Sequence, residues 1–316
     1  MAVVNDAASA VVETDQPSEA ETEADAGPRP AAEPAAQPLL EVVDIHLSFR
    51  GVKAVAGVSF RVDPGELFSI IGPNGAGKTS IFNCLNQVYR PQAGDIRWKG
   101  RSIMGMRPDK VASLGIARTF QNIELFPHMT VLDNLLLGRH VQMRRSWLAG
   151  AVWFGPAKRE ELAHREKVED IIDFLEIERW RKHPVVLLPY GIQKRVELGR
   201  ALAMGPELLL LDEPVAGMNL EETEDMARFV LDIREELGIA MILIEHDMGL
   251  VMDIADRVMV LDFGQQIAEG TPAEVAQNPD VIAAYLGTDT QLGLEQDEDL
   301  AELADELDAD ATPKPD

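Results

Sequence analysis

The sequence predicts an α/β fold with a mostly parallel sheet, a β-rich opening and a helical subdomain, and three observations predict it. Leu67-Phe68-Ser69-Ile70-Ile71 is a compact apolar run that ends in a glycine-rich loop, and helix-compatible spacing follows from Ser80 to Val88. Leu208–Leu211 and Met241–Ile244 are continuous apolar runs, as strands buried on both faces of a parallel sheet require, and Glu221–Leu237 between them reads as a helix. Between about 122 and 200 the pattern turns helical, with Val168, Ile171, Ile172 and Leu175 recurring at steps of three and four.

Taken in order, the chain starts with an Ala-, Pro-, Glu- and Asp-rich leader over 1–39 that lacks a basic segment leading into an apolar one, so disorder is expected there rather than a signal peptide. From about Leu40 the composition changes abruptly. Val42 to Phe49 and Val58 to Val62 read as short strands, with Gly51, Gly57 and the Pro64-Gly65 pair as turns between them. Beyond the βαβ pattern, Arg257–Leu261 and Gln265–Ala268 read as two further strands and Pro272 to Leu286 as one last helix. One folded domain over 40–287 and an acidic, disordered tail over 288–316 complete the organisation. Leu300, Leu303 and Leu307 in that tail would at most form a short helix, and a solvated tail is the expectation. No internal repeat is visible.

Charge excludes some functions. The 316 residues carry 54 acids and 29 bases, a net charge of −25, of which residues 1–40 contribute −7 and residues 287–316 contribute −10. The remaining −8 lies on residues 41–286. General nucleic-acid binding needs a positive face to displace counterions from phosphates, so it is disfavoured. The single cysteine, Cys84, cannot form an intramolecular disulfide, which fits a reducing, cytoplasmic setting. No run approaches the roughly 18 apolar residues that span a bilayer.

Two motifs carry chemistry. Gly72-Pro73-Asn74-Gly75-Ala76-Gly77-Lys78-Thr79, with Ser80 next, satisfies G-x-x-x-x-G-K-[ST] between a predicted strand and a predicted helix. Its glycines let successive N–H groups turn toward phosphate oxygens, and the helix N-terminus adds partial positive charge. Lys78 would reach the β- and γ-phosphates of a bound nucleotide, and the Thr79 hydroxyl would ligate Mg²⁺. The bland alternative is a glycine turn beside an exposed lysine. The second motif, Asp212-Glu213-Pro214, follows a buried strand and so sits where open α/β sheets bind ligands. Asp212 suits Mg²⁺ through water, and Glu213 suits orienting or deprotonating an attacking water. Two acids merely exposed at a strand end are the rival here.

From about 40 to 287 the chain resembles the ATP-binding subunit of ABC transporters, a P-loop nucleotide triphosphatase. Besides the two motifs above, Thr119-Phe120-Gln121-Asn122 is similar to its glutamine loop and Ile244-Glu245-His246-Asp247 to its switch-histidine loop. Leu188-Pro189-Tyr190-Gly191-Ile192-Gln193 stands where the family places its signature, Ala216-Gly217-Met218-Asn219 where it places the D-loop, and Phe49 where an aromatic ring stacks on adenine. More narrowly, Ala117–Asn122, Leu125–Val131, Asn278–Gly287 and an insertion near 140–160 resemble the G-type ATPase of branched-chain amino acid importers.

The resemblance implies an N-terminal antiparallel β subdomain, ATP hydrolysis coupled to transport, and a nucleotide shared between two subunits. Gln121 would contact Mg²⁺ and the γ-phosphate, and His246 would act with Glu213. Tyr190, Gly191, Gln193 and Asn219 would face the nucleotide across the dimer. The implied partners are two membrane-spanning permease subunits, an F-type ATPase or a second copy, and indirectly an extracytoplasmic solute-binding protein. The implied place is the cytoplasmic face of the membrane.

The signature departs from the family's pattern, since Pro189 stands for serine and Tyr190 for the first glycine. Proline has neither hydroxyl nor N–H, so one γ-phosphate contact should be missing. Such a hydrogen bond is worth about 1.5–3 kcal/mol. The Gly191 N–H and the dipole of the helix that follows are expected to compensate. Arg139 to Lys158, with Arg144, Arg145, Trp147, Trp153 and Phe154, admits two readings: contact with a membrane subunit or lipid headgroups, or packing within the helical subdomain. The histidines at 46, 128, 140, 164 and 183 have no metal-ligand spacing.

Rival functions are an ABC exporter, a urea or aromatic-acid importer, a non-transport ABC ATPase, and a P-loop GTPase or small-molecule kinase. The non-transport class usually has paired cassettes, a long coiled coil or a basic face, none of which is seen. No N-K-x-D guanine-reading motif occurs.

Overall fold

The computed structural model describes residues 37–121, 123–142 and 156–285. Residues 1–36 of the leader, the tail, Asn122 and the Trp147/Trp153 stretch lie outside the described residues, as do Leu286 and Gly287; Leu39, at the end of the expected leader, is buried and donates its N–H to the Val62 carbonyl at 2.9 Å.

Among the described residues, five strands run parallel in the central sheet because their sequences bury both faces. Its order is β10 (Gln265–Gly270), β9 (Arg257–Asp262), β3 (Leu67–Ile71), β8 (Ala240–Ile244), β7 (Leu208–Asp212), β6 (Ile116–Arg118), with β10 alone antiparallel to its neighbour. Every residue of β3, β7 and β8 is buried. Alternate residues serve two cores, as the period of two requires. Leu67, Ile71, Leu209, Leu211, Met241 and Leu243 face one, and Phe68, Ile70, Leu208, Leu210, Ile242 and Ile244 face the other.

The first core is closed by helices. These are α3 (Val131–Arg139), α4 (Pro156–Phe174), α5 (Tyr190–Ala203) and α6 (Leu220–Leu237). Val168, Ile172 and Leu175 are fully buried, as their spacing predicts. Each such side chain contributes about 1.5–3 kcal/mol by leaving water. Helix α6 has both of its ends encoded. Asn219 and Glu222 form a reciprocal capping box at its start, and Gly238 takes the left-handed conformation (φ 63°) at its close.

The second core is covered by an antiparallel sheet of order β2-β1-β4-β5 and by helix α1 (Lys78–Leu85). Its strands are β1 (Leu40–Phe49), β2 (Val52–Val62), β4 (Ala93–Trp98) and β5 (Arg101–Ser102). Cys84 lies fully buried in α1, and burial pushes its thiol up to about 12.

Four stretches differ from the sequence reading. β4, β5, β6 and a short helix α2 (Pro108–Ser113) lie in a region where no element was expected. They are two to six residues long, too short for periodicity to register. Helix α1 starts at Lys78 rather than Ser80. The single helix expected from Pro272 to Leu286 is broken: α8 (Pro272–Ala276) stops, and a separate helical segment follows from 279. Pro279 explains the break, because the residue before a proline is driven out of the helical region. The short α7 (Met248–Ile254) also went unread; Asp247 caps it by accepting the Leu250 N–H at 3.0 Å. Among the described residues no helix is long and apolar enough to cross a membrane.

Candidate functional site

The strand register decides which residues meet. Ile70 pairs with Ile244, Ile244 with Asp212, and Arg118 with Leu210, so β3, β8, β7 and β6 end along one edge of the sheet. From that edge leave the glycine loop after β3, Thr119–Gln121 after β6, Glu213 after β7 and Glu245-His246 after β8. This is the carboxyl edge, where open α/β sheets bind ligands. A cleft of about 310 Å³ opens there, lined by Ala54, residues 74–80, Gln121, Glu213 and His246.

The glycine loop is built around its backbone. Gly72 (φ 146°) and Gly77 (φ 107°) hold conformations that side-chain-bearing residues rarely take. A Cβ on either would lie closer than 3.0 Å to a carbonyl oxygen, of Leu261 and Ala54 respectively. The Ala76 carbonyl accepts the Gly264 N–H at 2.9 Å, which ties the loop to the β9–β10 turn. Lys78 is buried, and its ammonium donates to the carbonyls of Gly72 (2.6 Å) and Pro73 (3.0 Å). Burial lowers its pKa below the ordinary lysine value, while the charges of Glu213 and Asp212 oppose that shift. The result is a buried cation at the start of α1, beside the loop residues that line the cleft.

Opposite it, one carboxylate is held from two sides. Gln121 Nε2 donates to Glu213 Oε2 at 2.7 Å, and His246 Nε2 meets Glu213 Oε1 at 2.6 Å. Glu213 itself has φ 50°, a left-handed conformation costing on the order of 1–3 kcal/mol for such a residue. Its N–H donates to the Ile244 carbonyl at 2.9 Å, which extends the β7–β8 pairing by one residue and holds the strain. Glu245, next to His246, is 3% exposed and accepts the N–H groups of Val215 (3.0 Å) and His246 (3.1 Å). Burial raises its pKa, and those two N–H groups act against the rise.

Several other residues named from sequence lie away from the cleft. Phe49, half-exposed at the end of β1, meets Tyr89 edge-on at 5.0 Å and is not among the residues lining the cleft. Tyr190, at the start of α5, donates from its hydroxyl to the Ala216 carbonyl at 2.9 Å, and its ring lies over Gly217. Gln193 donates to the Leu188 carbonyl at 2.8 Å. Gly191 packs against the Glu222 carboxylate, a favourable place for negative charge beside the α5 N-terminus. Asn219 caps α6. Thr79 and Ser80 line the cleft, whereas Asp212 sits just behind it, bonded to Arg118.

Several residues that shape the site were not singled out from sequence. Arg118 donates to Asp212 Oδ2 at 2.6 Å and to Asn83 Oδ1 at 2.8 Å, with side-chain exposures of 9% for Arg118 and 4% for Asp212. Breaking a buried pair from one side leaves a desolvated charge, so Arg118→Met should cost about 3–5 kcal/mol. Urea unfolding of the two proteins measures that loss, and an unchanged midpoint would show the pair to be dispensable.

A second group lies on α5. Lys194 Nζ donates to the Gln121 carbonyl at 2.9 Å, Glu197 accepts the Phe120 N–H at 3.3 Å, and Arg200 donates to the Glu124 carbonyl. Charged residues three apart on a helix face that is otherwise apolar were the available signal. Finally, the Tyr285 hydroxyl accepts the Gly72 N–H, while burial pushes its pKa up to about 12.

A family model described as ABC transporter matches residues 55–216, and one described as branched-chain amino acid ATP-binding cassette transporter matches residues 265–290. The chain is 41% identical over 251 residues to the high-affinity branched-chain amino acid transport ATP-binding protein BraF of Pseudomonas aeruginosa, covering 79% of this chain and 98% of the relative. Its identity to the corresponding LivG of Escherichia coli K12 is 38%, with the same coverage. Among solved structures it is similar to the ADP conformation of an ATP-binding cassette of an ABC transporter, at 32% identity and TM-score 0.69, covering 79% of this chain and 99% of the other. It is also similar to cbiO1 from Clostridium perfringens, described as part of the ABC transporter complex cbiONQ, at 26% identity and TM-score 0.67, covering 84% and 99%.

Proposed function

Since the chain belongs to the ABC transporter family, a family of ATP-binding subunits, we propose that it hydrolyses ATP to power an importer, with branched-chain or other hydrophobic amino acids as cargo. The observation that carries the catalytic part is the Glu213 carboxylate, fixed between Gln121 and His246 across the cleft from Lys78. The cargo is supported by the names of the relatives BraF and LivG and by the family model over residues 265–290.

In this reading N–H groups of the loop residues that line the cleft, between Asn74 and Ser80, and the Lys78 ammonium bind the phosphates, and Phe49 stacks on the adenine. The Thr79 hydroxyl, the Gln121 side-chain oxygen and the Asp212 carboxylate are hard oxygen donors that suit Mg²⁺, with Arg118 occupying only Oδ2 of Asp212. Bound there, Mg²⁺ would neutralise charge on the β- and γ-phosphates. Glu213 takes a proton from the attacking water as its oxygen bonds to the γ-phosphorus and the bond to the β–γ bridging oxygen breaks. His246 fixes the carboxylate during that transfer. Tyr190, Gly191, Gln193 and Asn219 lie outside the cleft and serve the nucleotide of a partner ATPase, either F-type or a second copy.

Function then requires two permease subunits at the cytoplasmic face of the membrane and an extracytoplasmic binding protein. The assembled transporter, purified through this chain, should contain those proteins. In vesicles, its ATP hydrolysis should rise severalfold when the binding protein is loaded with leucine, isoleucine or valine. Stimulation by urea or by aromatic acids alone, or co-purification with exporter-type membrane subunits, would overturn the cargo assignment.

A further inference from the structure

Glu245 is a buried acid with no role in the mechanism so far, and its bonding is specific. Both of its partners are N–H donors, so the site calls for a group with two acceptor oxygens, which a carboxylate supplies and an amide or hydroxyl does not. Its oxygens divide: Oε1 takes Val215, two residues after Glu213, and Oε2 takes its own neighbour His246. The segments that deliver Glu213 and His246 thus meet on one side chain that is 3% exposed. The 2.6 Å contact between His246 Nε2 and Glu213 Oε1 joins side chains from those same two segments, so its length depends on how the backbones are held. One residue beyond Val215, the Ala216 carbonyl accepts the Tyr190 hydroxyl, so the connection continues to the start of α5.

We propose that Glu245 is a positioning residue for hydrolysis, which sets the distance between Glu213 and His246 by clamping the backbones on either side. The proposal rests on the ATPase reading above. In Glu245→Gln, the amide oxygen can accept one N–H but the amide nitrogen opposes the other, so one of the two segments is released while side-chain volume is kept.

The test uses the full-length chain in its assembled transporter. Glu245→Gln should lower kcat about 10- to 100-fold, the cost of a misplaced catalytic contact. The KM for Mg-ATP should stay near the wild-type value, while the melting temperature falls by a few degrees, because leaving one of the two buried N–H donors opposed costs stability. In a His246→Ala background the same substitution should change kcat less than about threefold, because residues acting as a unit do not multiply their effects. Glu245→Asp, a methylene too short to reach both N–H groups, should fall between wild type and Glu245→Gln.

Unchanged kcat in Glu245→Gln would overturn the proposal. So would losses that multiply with those of His246→Ala, or a KM for Mg-ATP that rises severalfold as kcat falls, since those mark a merely structural acid. Absence of hydrolysis by the wild-type transporter would instead refute the ATPase reading.

Discussion

Glu213→Gln stops turnover while nucleotide still binds: kcat falls roughly 10²- to 10⁴-fold, the contribution of a positioned general base, with the Kd for Mg-ATP within about threefold of wild type. The two halves of this result have separate causes. An amide cannot take the water's proton, and it cannot accept from both Gln121 and His246 as the carboxylate does at 2.7 and 2.6 Å. Binding survives because the phosphate contacts come from the glycine loop and Lys78. Removing a negative charge near the cleft also reduces repulsion of the γ-phosphate, so affinity should hold or tighten. Single-turnover hydrolysis and equilibrium nucleotide binding measured on the same protein separate the effects. Retained turnover would remove Glu213 from the base role.

Gly77→Ala destroys nucleotide binding and destabilises the fold. A side chain there adds two penalties. The backbone at φ 107° is strained for alanine, and the new Cβ lies closer than 3.0 Å to the Ala54 carbonyl oxygen, which belongs to a paired strand and cannot simply retreat. Each term is about 1–3 kcal/mol, for a total of roughly 2–6 kcal/mol. The same loop contains its own control. Gly75 also has positive φ, at 81°, yet a Cβ there meets nothing within 4 Å. Gly75→Ala should therefore cost only the backbone term, about 1–2 kcal/mol. Urea denaturation with nucleotide titration distinguishes the two variants, and equal losses would show that crowding by Ala54 is irrelevant.

Features that depend on consecutive residues were legible in the sequence. The glycine loop, the Asp212-Glu213 pair and the buried strands each announce themselves within eight residues, and the order of the motifs adds what no single one carries. Features that depend on folding were not. Arg118 meets Asp212 across 94 positions and Glu197 meets Phe120 across 77, and neither spacing leaves a local trace. Tyr190 was visible as a departure from a glycine, but only the fold brings its hydroxyl to the Ala216 carbonyl. β5 and β6 escaped notice because two- and three-residue strands are specified by their neighbours in the sheet rather than by their own pattern.

Cys84 carries a practical consequence for studying such a subunit. A thiol reacts as its thiolate, and with a pKa of about 12 fewer than about one in 10⁴ is ionised at neutral pH, quite apart from its burial. As it is the single cysteine in the sequence, the native chain presents no reactive sulfur to alkylating reagents. A spectroscopic label attached to a cysteine introduced at the exposed Phe49 or Tyr190 would therefore report from that position alone, with the natural thiol left in place.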